Sequence, residues 1–180
     1  MFFDTDILSM LGKIGSMALL RKLFSKSELL ITFEVYNELL RAREAGYDFV
    51  DDILDQGFSV IYLDPDLVKE YEQKKKELGN IHAGELTSIL LCKKMGMDFA
   101  TNDNKAKKFC KEYGVEWIDI IDILRLCYLK KLLEKSEIEK LISDIEEKDR
   151  TRIRKPERIF ADIENETKQK ADDSDTNHLR

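Results

Sequence analysis

MDFATNDNKAKKFCKEYGVEWI, residues 97–118, carries one complete unit of the fold. Residues 97–101 form an apolar run of strand length, 103–113 show helical spacing, Gly114 stands where a helix-terminating glycine belongs, and 115–118 are apolar again. A strand, a helix and a second strand in that order predict a crossover between parallel neighbours, because a connection of this length cannot form a hairpin.

The same alternation extends over the chain in both directions. Strands are expected at 1–4, 28–32 (ELLIT) and 58–63 (FSVIYL), in addition to 97–101 and 115–118. Helical spacing covers 17–24, 34–44, 47–55, 65–78, 83–95 and 119–133, with Pro65 suited to a first helical turn and Gly96 to a helix end. The expected fold class is α/β, with three layers (α/β/α) and a central parallel sheet covered by helices on both faces. One domain is expected over residues 1–133. Residues 134–180 read as a charged C-terminal extension, helical at first through Leu141, Ile142 and Ile145 and disordered after about residue 160, where apolar groups become too sparse to offset ordering entropy.

The chain is 43% hydrophobic and 37% charged, which allows a real core but exceeds the roughly 25% charge of ordinary soluble domains. Cys92, Cys110 and Cys127 are odd in number and widely spaced, which suits reduced thiols and a cytoplasmic setting. No apolar run reaches membrane-spanning length, and MFFDTDIL meets an acid at position 4, so neither a span nor a signal peptide is expected. The net charge of −6 opposes nucleic-acid binding through phosphates unless basic groups cluster locally.

Acidic residues stand at the junctions of strands and helices: Asp4 after the first strand, Glu38 and Glu85 in or near first helical turns, and Asp103 just beyond the strand ending at Thr101. Parallel sheets collect ligands at the carboxyl ends of their strands, so one crevice can present several of these acids. Carboxylates gathered without basic partners repel one another and are best neutralised by a hard divalent cation, Mg²⁺ or Mn²⁺. Singly, each acid also has a plainer reading as a helix cap, a first-turn acid or a solvent-facing residue.

DTDIL, ITFEVYNELL, the GEL of HAGELTSILL and FATNDNKAKKFCKEYGV together resemble the successive acidic motifs of PIN domains, the metal-dependent ribonuclease fold that includes VapC-type toxins. The resemblance spans residues 1–130. It implies Asp4, Glu38, Glu85 and Asp103 as catalytic, metal-holding acids, with Thr101 as a supporting hydroxyl. It further implies RNA as substrate, hydrolysis by water activated at the metal, an antitoxin partner and a homodimer. Two positions depart from the pattern: Asp6 stands where Asn or Ser is common and adds a ligand or a repulsion, and Asn102 stands where Asp is common but keeps an oxygen.

Lys105, Lys107 and Lys108 are the cations nearest Asp103 in sequence and the first candidates for RNA contact. Exposed bases of single-stranded or looped RNA stack on aromatic side chains, for which Phe33, Tyr36 and Trp117 are candidates by type, with core packing their plainer role; His82, beside Glu85, is a substrate contact or, more plainly, a local structural group. Two rival readings stay open. FFDTDIL also resembles the nucleophile motif of haloacid dehalogenase-like phosphatases, and the chain also suits a PIN-like RNA-binding or assembly module without turnover. The stretch KDRTRIRKPERIF, residues 148–160, is a solvated extension, an RNA contact or a cover for the acidic groove.

Overall fold

A computed structural model describes residues 1–78 and 81–161. In chain order the elements are β1 (Phe2–Phe3), α1 (Thr5–Lys13), α2 (Met17–Leu23), β2 (Leu30–Thr32), α3 (Phe33–Glu44), α4 (Phe49–Leu54), β3 (Ser59–Ile61), α5 (Pro65–Leu78), α6 (Ala83–Met95), β4 (Phe99–Ala100), α7 (Asn104–Tyr113), β5 (Trp117–Ile118), α8 (Ile120–Leu129) and α9 (Lys135–Lys148), followed by a 3₁₀ turn over Pro156–Ile159. Each strand falls inside an expected one. The sequence reading gives α1 no range of its own and names a helix carrying Ile7 and Leu8 only in the plainer reading of Asp4 as a cap, because the two-residue strand gives way to it at once.

The five strands form one parallel sheet in the order β3-β2-β1-β4-β5. The chain therefore leaves β1 toward β2 and β3 on one side, then returns to place β4 and β5 on the other. The reversal lies between β1 and β4, and the crevice at such a switch point is where open α/β sheets bind ligands.

Side chains alternate across the sheet, so neighbouring residues feed separate cores. Phe3, Ile31 and Ala100 join one buried cluster with Ile7, Leu11 and Leu20, while Phe2, Leu30 and Phe99 join another with Ile89 and Leu90. These clusters are the two inter-layer spaces of a three-layer α/β/α fold. Helix α6 is buried from Gly84 to Cys92, which accounts for the absence of a charged face there, with Glu85 the one charged residue in that stretch. Gly12 lets α1 approach α4: a Cβ there would lie 3.0 Å from Phe49 Cδ2. Gly96 and Gly114 end α6 and α7 in the left-handed conformation, at φ 63° and 67°.

Beyond residue 133, Ile138, Ile145, Ile153 and Ile159 are buried in the same cluster as Phe3. Lys13 pairs with Asp149 at 2.6 Å, the Ile153 amide donates to Glu146 Oε1 at 3.0 Å, and Arg125 Nη1 donates to the Arg158 carbonyl at 2.6 Å. The basic stretch is thus fastened against α1, α8 and α9. The disorder expected after about residue 160 falls on 162–180, outside the described residues. No helix among the described residues is long and apolar enough to cross a membrane.

Phe33 and Trp117, expected in the core, are 38% and 36% exposed. Both stand at a strand's carboxyl end or on the edge strand, where apolar residues meet solvent. Tyr36 packs partly buried against the Phe3 cluster.

Candidate functional site

Asp4 is the first residue beyond β1 and keeps extended backbone, with φ −84° and ψ 155°, its amide still donating to the Ala100 carbonyl at 2.9 Å. It caps α1 by accepting the Thr5 amide on Oδ1 at 2.8 Å, and it accepts the Thr101 hydroxyl on Oδ2 at 2.9 Å. Thr101 is the equivalent residue beyond β4 and is fully buried. Its hydroxyl oxygen also accepts the Asp103 amide at 3.2 Å, so one side chain ties the ends of the two central strands together.

Asp103 caps α7, accepting the amides of Lys105 and Ala106 on Oδ1 at 2.7 and 2.9 Å. Asp6 spans the same gap: Oδ1 accepts the Ile7 amide at 2.6 Å, and Oδ2 accepts the Asn102 amide at 3.2 Å. Asn102 therefore acts here through its backbone. Glu85, at the third position of α6, accepts the His82 amide at 3.2 Å. Glu38 lies in the second turn of α3, past the free amides of the helix start, and its support is the Thr5 hydroxyl, which donates to Oε2 at 2.5 Å. The capping roles of Asp4 and Asp103 and their place in the site coexist, because a carboxylate oxygen that accepts one hydrogen bond keeps a further lone pair.

These groups face one cavity of about 360 Å³ lined by Asp4, Thr5, Asp6, Glu38, His82, Glu85 and Asp103. Four elements far apart in sequence thus bring all four expected acids and Asp6 to one place, and the lining contains no Lys or Arg. Electrostatics record the crowding. Burial, then the charge of Asp6, holds Asp4 well above the usual carboxylate range despite the Thr101 hydrogen bond. Burial pushes Asp6 up to about 6, against the lowering effect of the Ile7 and Asn102 amides. Burial and the neighbouring Asp103 raise Glu85.

The three lysines separate on inspection. Lys107 is ion-paired with Asp119 at 2.8 Å and lies 4.9 Å above the Trp117 ring, which engages its ammonium inside the fold. Lys105 is exposed, and Lys108 is exposed with Glu112 at 3.9 Å on the same helix face.

Two contributors escaped the sequence reading. Thr5 is a common residue type whose only signal was adjacency to Asp4. Gly84 brings the start of α6 against α3: a Cβ there would meet Val35 Cγ2 at 3.2 Å and Glu38 Oε1 at 3.4 Å. Its signal was a glycine directly before Glu85.

The donors suit a hard divalent cation, being carboxylate oxygens with one imidazole nearby. Among the described residues no three His, Cys, Asp or Glu side chains are arranged so that they could hold a metal ion by themselves. An open arrangement of this kind fits Mg²⁺, which keeps several waters and takes few protein ligands alongside substrate phosphate.

A family model described as a PIN domain matches residues 1–168. No curated protein matches the chain.

Proposed function

This chain belongs to the PIN domain family, whose members are generally nucleases, and we propose that it is a Mg²⁺- or Mn²⁺-dependent endoribonuclease acting at the Asp4 cavity. The observation that carries the reading is the convergence of Asp4, Asp6, Glu38, Glu85 and Asp103 on one cavity without a cationic side chain in its lining. Burial and mutual repulsion raise Asp4, Asp6 and Glu85, a cost that a bound divalent cation removes. Asp4, Glu38, Glu85 and Asp103 hold the cation in this reading, and Asp6 adds charge at its edge.

When bound, the cation supplies an acidified water and neutralises charge developing on the phosphoryl oxygens. The chain's own residues do the positioning. Thr101 fixes Asp4 and the Asp103 loop, Thr5 fixes Glu38, and the caps at α1, α6 and α7 hold the remaining carboxylates. The covalent phosphatase route through Asp4 would call for a lysine beside the nucleophile, and the cavity lining holds none.

The role as a toxin with an antitoxin partner, the homodimer and the cytoplasmic setting belong to this reading through the resemblance and the reduced thiols, whose buried Cys92, Cys110 and Cys127 are free. The test is cleavage of a mixed-sequence, end-labelled RNA by wild type and Asp4→Asn in Mn²⁺, Mg²⁺ or EDTA. Metal-dependent internal cleavage lost in the variant supports the nuclease. Metal-independent binding without cleavage transfers the reading to an RNA-binding module.

A further inference from the structure

Phe33 and Tyr62 stack on each other at the carboxyl edge of the sheet, with ring centroids 5.0 Å apart and planes at 29°. Both are exposed, Tyr62 at 63%, which leaves aromatic surface open to solvent beside its partner. Phe33 directly follows β2 and Tyr62 directly follows β3, and their preceding residues Thr32 and Ile61 are register partners. Phe2 pairs with Leu30, so the end of β1 that leads to Asp4 lies beside the end of β2 that leads to Phe33. The order β3-β2-β1-β4 sets the carboxyl ends of β2 and β3 successively outward from that of β1, where Asp4 lines the cavity. Helix α3 carries both functions, Phe33 at its first position and Glu38 five residues on, where its carboxylate lines the cavity.

The charge of the molecule says what such a pair is for. A chain of net charge −6 whose Lys107 is already engaged by Asp119 and Trp117 has few cations near the cavity with which to hold phosphates. A nucleobase is neutral and presents a π-face, so stacking grips a single strand without requiring cations.

We infer that Phe33 and Tyr62 form a base-stacking subsite that holds one unpaired nucleobase of the RNA next to the acidic cavity. The inference rests on the nuclease reading and adds to it a place for one base. Stacked bases add binding that is realised before and during the chemical step alike, so the platform governs KM and leaves kcat nearly unchanged. Because no counterion is released on stacking, it also leaves the salt dependence of binding unaltered.

The experiment is steady-state cleavage of a short single-stranded RNA with Mn²⁺, together with a series carrying one abasic nucleotide at successive positions around the cut. Tyr62→Ala and Phe33→Leu are expected to raise KM about tenfold at unchanged kcat and unchanged salt slope, while Tyr62→Phe keeps the wild-type KM. At one position the abasic nucleotide is expected to raise KM for wild type and to have no further effect on Tyr62→Ala. An unchanged KM in Tyr62→Ala, or a loss that is the same for intact and abasic RNA at every position, overturns the platform while the nuclease stands. Absence of metal-dependent cleavage by wild type overturns both.

Discussion

The Thr101 hydroxyl donates to Asp4 Oδ2 at 2.9 Å across a sequence separation of 97 residues. The same oxygen accepts the Asp103 amide, so Thr101 links two acids and the ends of β1 and β4 at the sheet's switch point. Thr101→Val preserves shape in this fully buried position but leaves the Asp103 amide without its acceptor and Asp4 without its donor. Groups that orient metal-holding side chains are commonly worth 10- to 100-fold in affinity or activity, so a loss of about that size is expected in Mn²⁺-dependent cleavage. Thr101→Ser should restore most of it. Equal activity in the Val variant would show that Asp4 needs no such support.

The acidic cavity gives metal-free protein a defined pH dependence. Asp4, Asp6 and Glu85 have raised folded-state values, Asp6 about 6. A carboxyl raised on folding contributes stability that is complete below its unfolded value near 4 and is lost as pH rises through its folded value. In EDTA, Tm is therefore expected to fall between about pH 4.5 and 7, over and above any general trend, and Asp6→Asn should flatten that fall. Mn²⁺ should restore stability at pH 7.5 by about 2.7 kcal/mol at one hundred times its dissociation constant. Denaturation curves with and without metal test both directions; an EDTA Tm that rises toward neutral pH for wild type more than for Asp6→Asn contradicts the account.

Lys107 and its neighbours should separate by phenotype. Lys107→Met removes the partner of Asp119 in a pair whose side chains are 16% and 13% exposed, and a stability loss of about 2 kcal/mol is expected. Lys105→Ala and Lys108→Ala should leave Tm unchanged and, where they meet phosphate, lower the salt slope of RNA binding by about one each. Urea denaturation and a salt titration of KM distinguish a cation held within the fold from one offered to substrate.

The sequence carried the alternation of elements and the acids at their junctions because both are local signals. The βαβ unit around Asp103 was readable from its periods and from Gly114, and all five strands lay within the expected runs. What was not readable depended on partners brought together by the fold. Thr5 supports an acid 33 residues away, Lys107 meets Asp119 across a strand, and Phe33 finds Tyr62 only when β2 and β3 pair. Helix α1 was given no range for a different reason: it starts two residues after a strand only two residues long, too short a stretch for a change of period to show. Residues 134–160 looked like an appendage because their few isoleucines are scattered among charges, yet Ile138, Ile145, Ile153 and Ile159 suffice for one buried seam.

That seam separates two accounts of the basic stretch. Ile153 and Ile159 are buried in the Phe3 cluster, and none of residues 148–160 lines the acidic cavity. If the stretch is part of the body, Ile159→Ala should cost about 2–4 kcal/mol through the cavity it leaves, and truncation after residue 147 should destabilise the whole fold. Cleavage per folded molecule should not rise in either case, because nothing is lifted from the acids. If instead the stretch restrains the site, truncation should raise kcat/KM while Tm stays near that of the full chain. Parallel measurement of Tm and cleavage on both variants decides between a structural strap and an inhibitory one, and the full burial of Ile159, in a turn packed against α8, favours the strap.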